Sequence, residues 1–205
     1  MTKTVSIEEA LRFGWKTFQA NAGFMIGVTV TAVLLMGAPG FIPRGSSGLV
    51  GLALRLVVMV WQIFIGIGLL KITLALCVNQ KPSFGILFSG SDVLGQMILG
   101  RIFYTIVLVI GLVLLIVPGI IWALQRLFYS YLIVDQKLSA VEALKKSGSI
   151  TYGIKLDLFL FLLGVGILNL LGLICFGVGL FVTLPVTLLA FTDVYRKALE
   201  SAPTE

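Results

Sequence analysis

From Leu49 to Val78 the chain runs for 30 residues with Arg55 and Lys71 as its only charges. A helix needs about 20 predominantly apolar residues to cross the hydrocarbon core of a bilayer, and this run exceeds that. The two charges are 16 residues apart, or about 24 Å along a helix axis. Their long side chains can therefore snorkel to opposite faces of the bilayer. Five further apolar runs, 20–38, 98–117, 119–134, 156–174 and 176–195, read in the same way. A segment in lipid must satisfy its backbone N–H and C=O groups internally, which makes each run a helix. The 205 residues are 59% hydrophobic and only 12% charged, whereas soluble domains carry roughly 25% charged residues. The expected fold class is all-α: one membrane domain over residues 1–205, a polytopic transmembrane helical bundle with about six spans in three hairpins.

Between the spans the pattern changes from apolar to amphipathic. Residues 6–19 predict a surface helix. Ser6-x-x-Glu9 has capping-box spacing, with Ile7, Ala10, Leu11 and Phe18 on one side and Glu8, Arg12 and Lys16 on another. Residues 139–152 predict a second, opened by Ser139-x-x-Glu142 and carrying Lys145 and Lys146. Such helices lie at the bilayer surface with their basic side toward the headgroups. SIEEALR (Ser6 to Arg12) and SAVEALK (Ser139 to Lys145) share four identities and one conservative change, a thin sign of internal duplication. Residues 83–96 predict a weaker interfacial stretch. Pro39-Gly40 and Pro43 to Gly48 predict an outer loop, Asn79 to Pro82 an inner return turn, and Val117-Pro118-Gly119 a tight hairpin turn. The charged start, with Lys3, Glu8, Glu9 and Arg12, carries no apolar core of a signal peptide, so membrane entry is expected at the first internal span.

Basic residues set the orientation. One side of this map collects Lys3, Arg12, Lys16, Lys71, Lys81, Arg101, Lys137, Lys145, Lys146, Lys155, Arg196 and Lys197, while the other has Arg44 and Arg55. The positive-inside rule then puts both termini in the cytoplasm, with the spans in a bacterial inner (plasma) membrane. The net charge of +6 reads as topology and headgroup contact, not nucleic-acid binding, because no groove-reading module is present.

Chemistry-bearing groups are sparse. The chain has no His, and Cys77 and Cys175 lie in separate apolar surroundings. A zinc site is therefore not expected, nor any other metal or cofactor, and the cysteines read as buried free thiols. No nucleophile, base and orienter can be assembled, so no catalytic residue is predicted. Asp92, Asp135, Asp157 and Asp193 fall at span ends, not at the depth where coupled carriers keep an ionisable group. Arg126 is the exceptional cation, placed inside an apolar run. It reads first as a structural cation tied to backbone carbonyls or the outer headgroups; the functional alternative is a pocket for a phosphate or lipid headgroup that Gln125, Gln62 and Asn169 would join. Arg12, Lys16, Lys145 and Lys146 are the candidate cytoplasmic lipid contacts. Gly164-x-Gly166, Gly172, Gly177 and Gly179 read as close-packing positions, and Trp15, Trp61, Trp122, Tyr152 and Tyr195 as interface anchors.

The stretch VPGIIWALQRLFYSYLIVDQKLSAVEALKKSGSITYG (Val117 to Gly153) resembles a bacterial membrane superfamily. That superfamily includes the membrane domain attached to some glycerophosphodiester phosphodiesterases, together with stand-alone proteins without an agreed function. The resemblance falls on Pro118, Gly119, Ile120, Arg126, Asp135, Ala143, Leu144, Lys145, Lys146, Ser147 and Gly153, and on a closing span ending in Tyr195-Arg196. The family pattern places its buried basic residue at the position of Gln125. The resemblance implies six spans and cytoplasmic termini, and no phosphodiesterase domain is present. The function expected is a non-enzymatic scaffold or accessory factor engaging membrane lipids or other membrane proteins. The alternative is a small carrier or channel for an anionic or lipidic solute.

Overall fold

The computed structural model describes residues 6–37, 48–175 and 177–202. Lys3, Ala38, Arg44, the outer loop from Pro39 to Ser47 and the Phe176 start of the last apolar run lie outside the described residues. Among the described residues every regular element is helical. Four segments are long and apolar enough to cross a membrane: Gly48–Cys77, Leu94–Val113, Ile116–Gln136 and Lys155–Ile174. A fifth is present if Ile7–Ala20 and Ala22–Gly37, bent by 99° at their junction, count as one broken span. The chain has the helices of a multi-pass membrane protein.

Helix α1, Ile7–Ala20, starts where Ser6 Oγ accepts the Glu9 N–H at 3.3 Å, satisfying one of the amides that a helix start leaves free. Ala10, Gly14 and Phe18 recur at four-residue steps and form its buried face, which packs chiefly on α9, Leu180–Glu200. Asn21 stops α1, its side-chain amide donating to Thr17 O at 3.1 Å. The chain then turns sharply into α2, Ala22–Gly37, which buries Met25, Val28, Thr29 and Ala32. Gly27 of α2 is capped by the Phe84 ring.

Helix α3, Gly48–Cys77, keeps almost the expected bounds of 49–78. Its buried residues gather from Ile63 onward, whereas Leu49, Val50, Leu52, Leu56 and Val57 are exposed. The weak stretch at 83–96 resolves into two 3-10 turns, Phe84–Phe88 and Gly90–Asp92, followed by the start of the next helix. The first turn sits on α3 at Gly68, where a Cβ would collide with the Leu87 backbone.

Helices α4, Leu94–Leu114, and α5, Ile116–Gln125, form a hairpin that differs from the sequence expectation. The turn is at Leu115, in extended conformation (φ −158°, ψ 125°), and Pro118-Gly119 begins α5 instead of turning the chain. The physical reason is that a first helical turn needs few N–H donors, so Pro118 costs nothing there. Gly119 then lets the two helices touch: a Cβ on it would come 2.9 Å from Leu112 N. Only 11% of the apolar window of α4 is buried, so its surface is available to lipid.

The run expected as one helix over 119–134 is broken. α5 ends at Gln125, Arg126 to Phe128 form a turn, and α6 covers Tyr129–Gln136. Lys137, in the left-handed conformation at φ 52°, ends α6. α7, Ala140–Ile150, starts with a complete capping box. The Glu142 N–H reaches Ser139 Oγ and the Ser139 N–H reaches the Glu142 carboxylate. Those Ser139 bonds, led by the one from its hydroxyl, hold the Glu142 carboxyl below its ordinary pKa. α8, Lys155–Ile174, and α9 close the fold. α9 extends past the expected end at 195, so Arg196-Lys197 lie inside it and do not terminate it.

The core is aromatic where α6 meets α9. The Tyr131 and Tyr195 rings stack at 5.1 Å, with Phe128 5.8 Å from Tyr195. Tyr195 is fully buried and its hydroxyl donates to Asp135 at 2.8 Å. It is therefore a core residue and not an interface anchor, because its hydroxyl finds a partner inside the protein. Cys175 likewise departs from expectation, being exposed at the end of α8. Of the glycines read as packing positions, Gly172 and Gly179 do face one another across the α8–α9 junction, whereas Gly166 has open space around its α-carbon.

Candidate functional site

A helix break in a membrane segment exposes backbone groups that lipid cannot satisfy. Here α7 satisfies them. The Ser147 hydroxyl donates to Gln125 O at 3.0 Å and accepts the Phe128 N–H at 3.1 Å, so one side chain bridges both lips of the break. Thr151 Oγ1 adds a second contact to Gln125 O at 3.1 Å. The bonding is reciprocal: Arg126 Nη1 donates to Leu144 O and to Lys145 O, reaching into α7 from within the break. Gly148 makes that approach possible, since a Cβ there would meet the Arg126 guanidinium. A guanidinium presents five donors and no acceptor, so carbonyls are its natural neutral partners in an apolar setting.

Arg126 also lines a cleft of about 400 Å³, shared with Arg101, Tyr104, Thr105 and Leu108 of α4 and with Leu127, Tyr129 and Ser130. The four polar residues singled out from sequence do not meet in this cleft. Gln125 engages through its backbone carbonyl, as above. Gln62 on α3 donates from its side-chain amide to Met36 O of α2 at 3.2 Å, beside Trp61, whose indole N–H donates to Leu35 O at 3.0 Å. Both bonds tie α3 to the end of α2. Asn169 of α8 donates to Thr187 Oγ1 of α9 at 3.4 Å. Gln62, Arg126 and Asn169 thus serve three different helix pairs. Arg101, Thr105 and Ser130 were not singled out as site residues from sequence, because only tertiary packing sets α4 beside the break.

The four surface cations stand apart from this. Arg12 pairs with Glu8 at 2.7 Å along α1, with both side chains highly exposed; such a pair contributes little stability. Lys16 and Lys145 are exposed and form no ion pair among the described residues, and Lys146 donates to Gln136 Oε1 at 2.8 Å. The aspartates are used structurally. Asp92 pairs with Lys71 at 2.7 Å and more loosely with Lys137 at 3.7 Å, while Asp193 pairs with Lys197 at 2.9 Å and Lys197 reaches Glu9 at 3.6 Å. The Lys197–Glu9 pair links α9 to α1.

Among the described residues no group of three His, Cys, Asp or Glu side chains is placed to hold a metal ion. No protein-family model, curated protein or solved structure matches this chain.

Proposed function

We propose that this protein is a non-enzymatic scaffold or accessory factor of a bacterial inner membrane, engaging anionic lipid headgroups through α1 and α7 and thereby presenting itself to other membrane proteins. In this reading it crosses the bilayer six times, by α2, α3, α4, the broken α5–α6 segment, α8 and α9, as three hairpins with both termini cytoplasmic. Kinship with the glycerophosphodiester phosphodiesterase membrane domain is part of the same proposal and rests on the residues from Pro118 to Gly153.

The observation that carries the reading is the fixation of α7 on the membrane segment. Arg126 and Ser147 bind it to the break, while Lys145 and Lys146 remain outward. A surface helix held so firmly offers its lysines to headgroups at a fixed place, where each contributes about 1 kcal/mol toward an anionic surface. The carrier alternative is less favoured, because Gln62 and Asn169 are spent on helix-to-helix contacts away from Arg126.

The test is lipid enrichment around the purified protein. Extracted from membranes of mixed lipid, the wild type is expected to carry more phosphatidylglycerol than the bulk. A variant with Arg12, Lys16, Lys145 and Lys146 all changed to Gln should lose that enrichment. Equal enrichment in both proteins would refute the surface reading.

A further inference from the structure

Arg101 and Arg126 line one cleft, together with Thr105, Ser130, Tyr104 and Tyr129. Two guanidiniums lining one space repel each other, and the repulsion is weakly screened where the surroundings are apolar. Among the described residues neither arginine forms an ion pair with a carboxylate. Arg126 bonds to the α7 carbonyls through Nη1 alone among the described residues, which fixes its plane and leaves other donors to spend. Arg101, exposed on α4, has no such tether among the described residues. Among the described residues, the site therefore holds two cations that no carboxylate pairs.

Its surroundings indicate what kind of anion fits. Tyr104 stacks on Tyr129 at 5.3 Å and lies 5.1 Å from Trp122, an aromatic layer of the type found at headgroup level. Further along the cleft side of α4, Leu108 lines the same cleft and Leu112, about one helical turn on, is exposed. An anion in the cleft thus has an apolar path beside it. We infer that the cleft binds the phosphodiester group of an anionic phospholipid, with an acyl chain along the α4–α5 hairpin. Two guanidiniums match the two non-bridging oxygens of a phosphodiester, and the Thr105 and Ser130 hydroxyls supply further donors. A choline headgroup is disfavoured, since its cation would sit beside two arginines. The inference rests on the lipid-engaging reading above and names a second, single-lipid site for it, separate from the surface lysines.

Native mass spectrometry of the full chain in a mild detergent tests it, with phosphatidylglycerol, phosphatidylcholine and inorganic phosphate as probes. One phosphatidylglycerol is expected to remain bound where phosphatidylcholine does not. Arg101→Gln should weaken its retention about tenfold, in keeping with the loss of a charge-assisted hydrogen bond. Arg101 is the chosen site because Arg126→Leu would also release α7 and confuse binding with folding. Arg55→Gln, remote from the cleft in sequence and on another helix, should change nothing. If millimolar inorganic phosphate competes in an Arg101-dependent way and lipid headgroups bind alike, the site is for a soluble phosphate and the lipid assignment is overturned. Equal retention of both lipids without phosphate competition, or an Arg101→Gln protein that binds as the wild type does, overturns the site itself. The variant lacking four surface cations keeps these outcomes separate: it removes general anionic enrichment and leaves the Arg101-dependent lipid in place.

Discussion

Gly14 lies where α1 crosses α9, and a Cβ on it would run into the Val186 carbonyl and come 3.1 Å from Ala190 N. Both obstacles are backbone, so the helices would have to part. Gly14→Ala is expected to destabilise the protein by about 1–3 kcal/mol, the usual cost of overpacking. Gly166→Ala, in open space, should leave thermal denaturation in detergent unchanged or slightly raised. A Gly14→Ala protein as stable as the wild type would show that α1 does not seat on α9 in this way. Asp92 gives a second prediction at this scale. The Lys71 ammonium, by direct hydrogen bonding and ion pairing, holds the Asp92 carboxyl below its ordinary pKa. A depressed carboxyl contributes stability that is full above its unfolded pKa of about 4 and is lost as pH falls through the lower folded value. The connection at 84–92 should therefore loosen in acid, read as faster amide exchange there. Asp92→Asn should remove that pH dependence and leave the segment equally loose at neutral pH.

At the scale of elements, the bridge from α7 to the break sets the largest expectation. Ser147→Ala leaves a buried Phe128 N–H without its acceptor and Gln125 O with Thr151 alone. An unsatisfied buried donor costs about 1–3 kcal/mol, and the loss should appear as a lower thermal midpoint with faster proteolysis after Lys145 and Lys146. Thr151→Ala should cost less, since Ser147 still serves the same carbonyl. The elements also show what sequence makes legible. The starts of α1 and α7 are readable because Ser6, Ser139 and Glu142 act on neighbours three residues away, and α3 is readable because its apolar run is long. The break at Arg126 to Phe128 is not, because the groups that seal it arrive from residues 147 and 151. Pro118-Gly119 misleads for a different reason: the same pair suits a turn and a first helical turn equally, and only the contact of Gly119 with Leu112 distinguishes them. Arg126 is legible as an anomalous cation; that the carbonyls it meets belong to α7 is not. Arg101, an ordinary interfacial cation in sequence, gains its interest only from lining a cleft with Arg126.

For the whole molecule, the proposed topology assigns the two cysteines to opposite sides. Cys77 ends α3 and Cys175 follows α8, and both are free thiols. With the termini cytoplasmic, an impermeant maleimide applied to spheroplasts should label Cys175 and spare Cys77. In inside-out vesicles Cys175 should be protected, and the Cys175→Ala protein should stay unlabelled in spheroplasts. The reverse pattern would invert the orientation, placing α7 and its lysines outside.

The sealing of the break by α7 also bears on how the chain is made. Gln125 and the hydroxyl of Ser147 that covers its carbonyl are separated by 22 residues, a delay of about 1–4 s at synthesis rates of about 5–20 residues per second. During that interval the broken segment has left the ribosome with its carbonyl and the Phe128 amide uncovered, and lipid offers them nothing. The segment must therefore wait in a wet place, at the insertion machinery or the interface, until its cover is synthesised. A nascent chain halted after Lys137 should fail to commit α5–α6 to the bilayer, and one halted well beyond Gly153 should succeed, the outcome expected if α7 also times biogenesis.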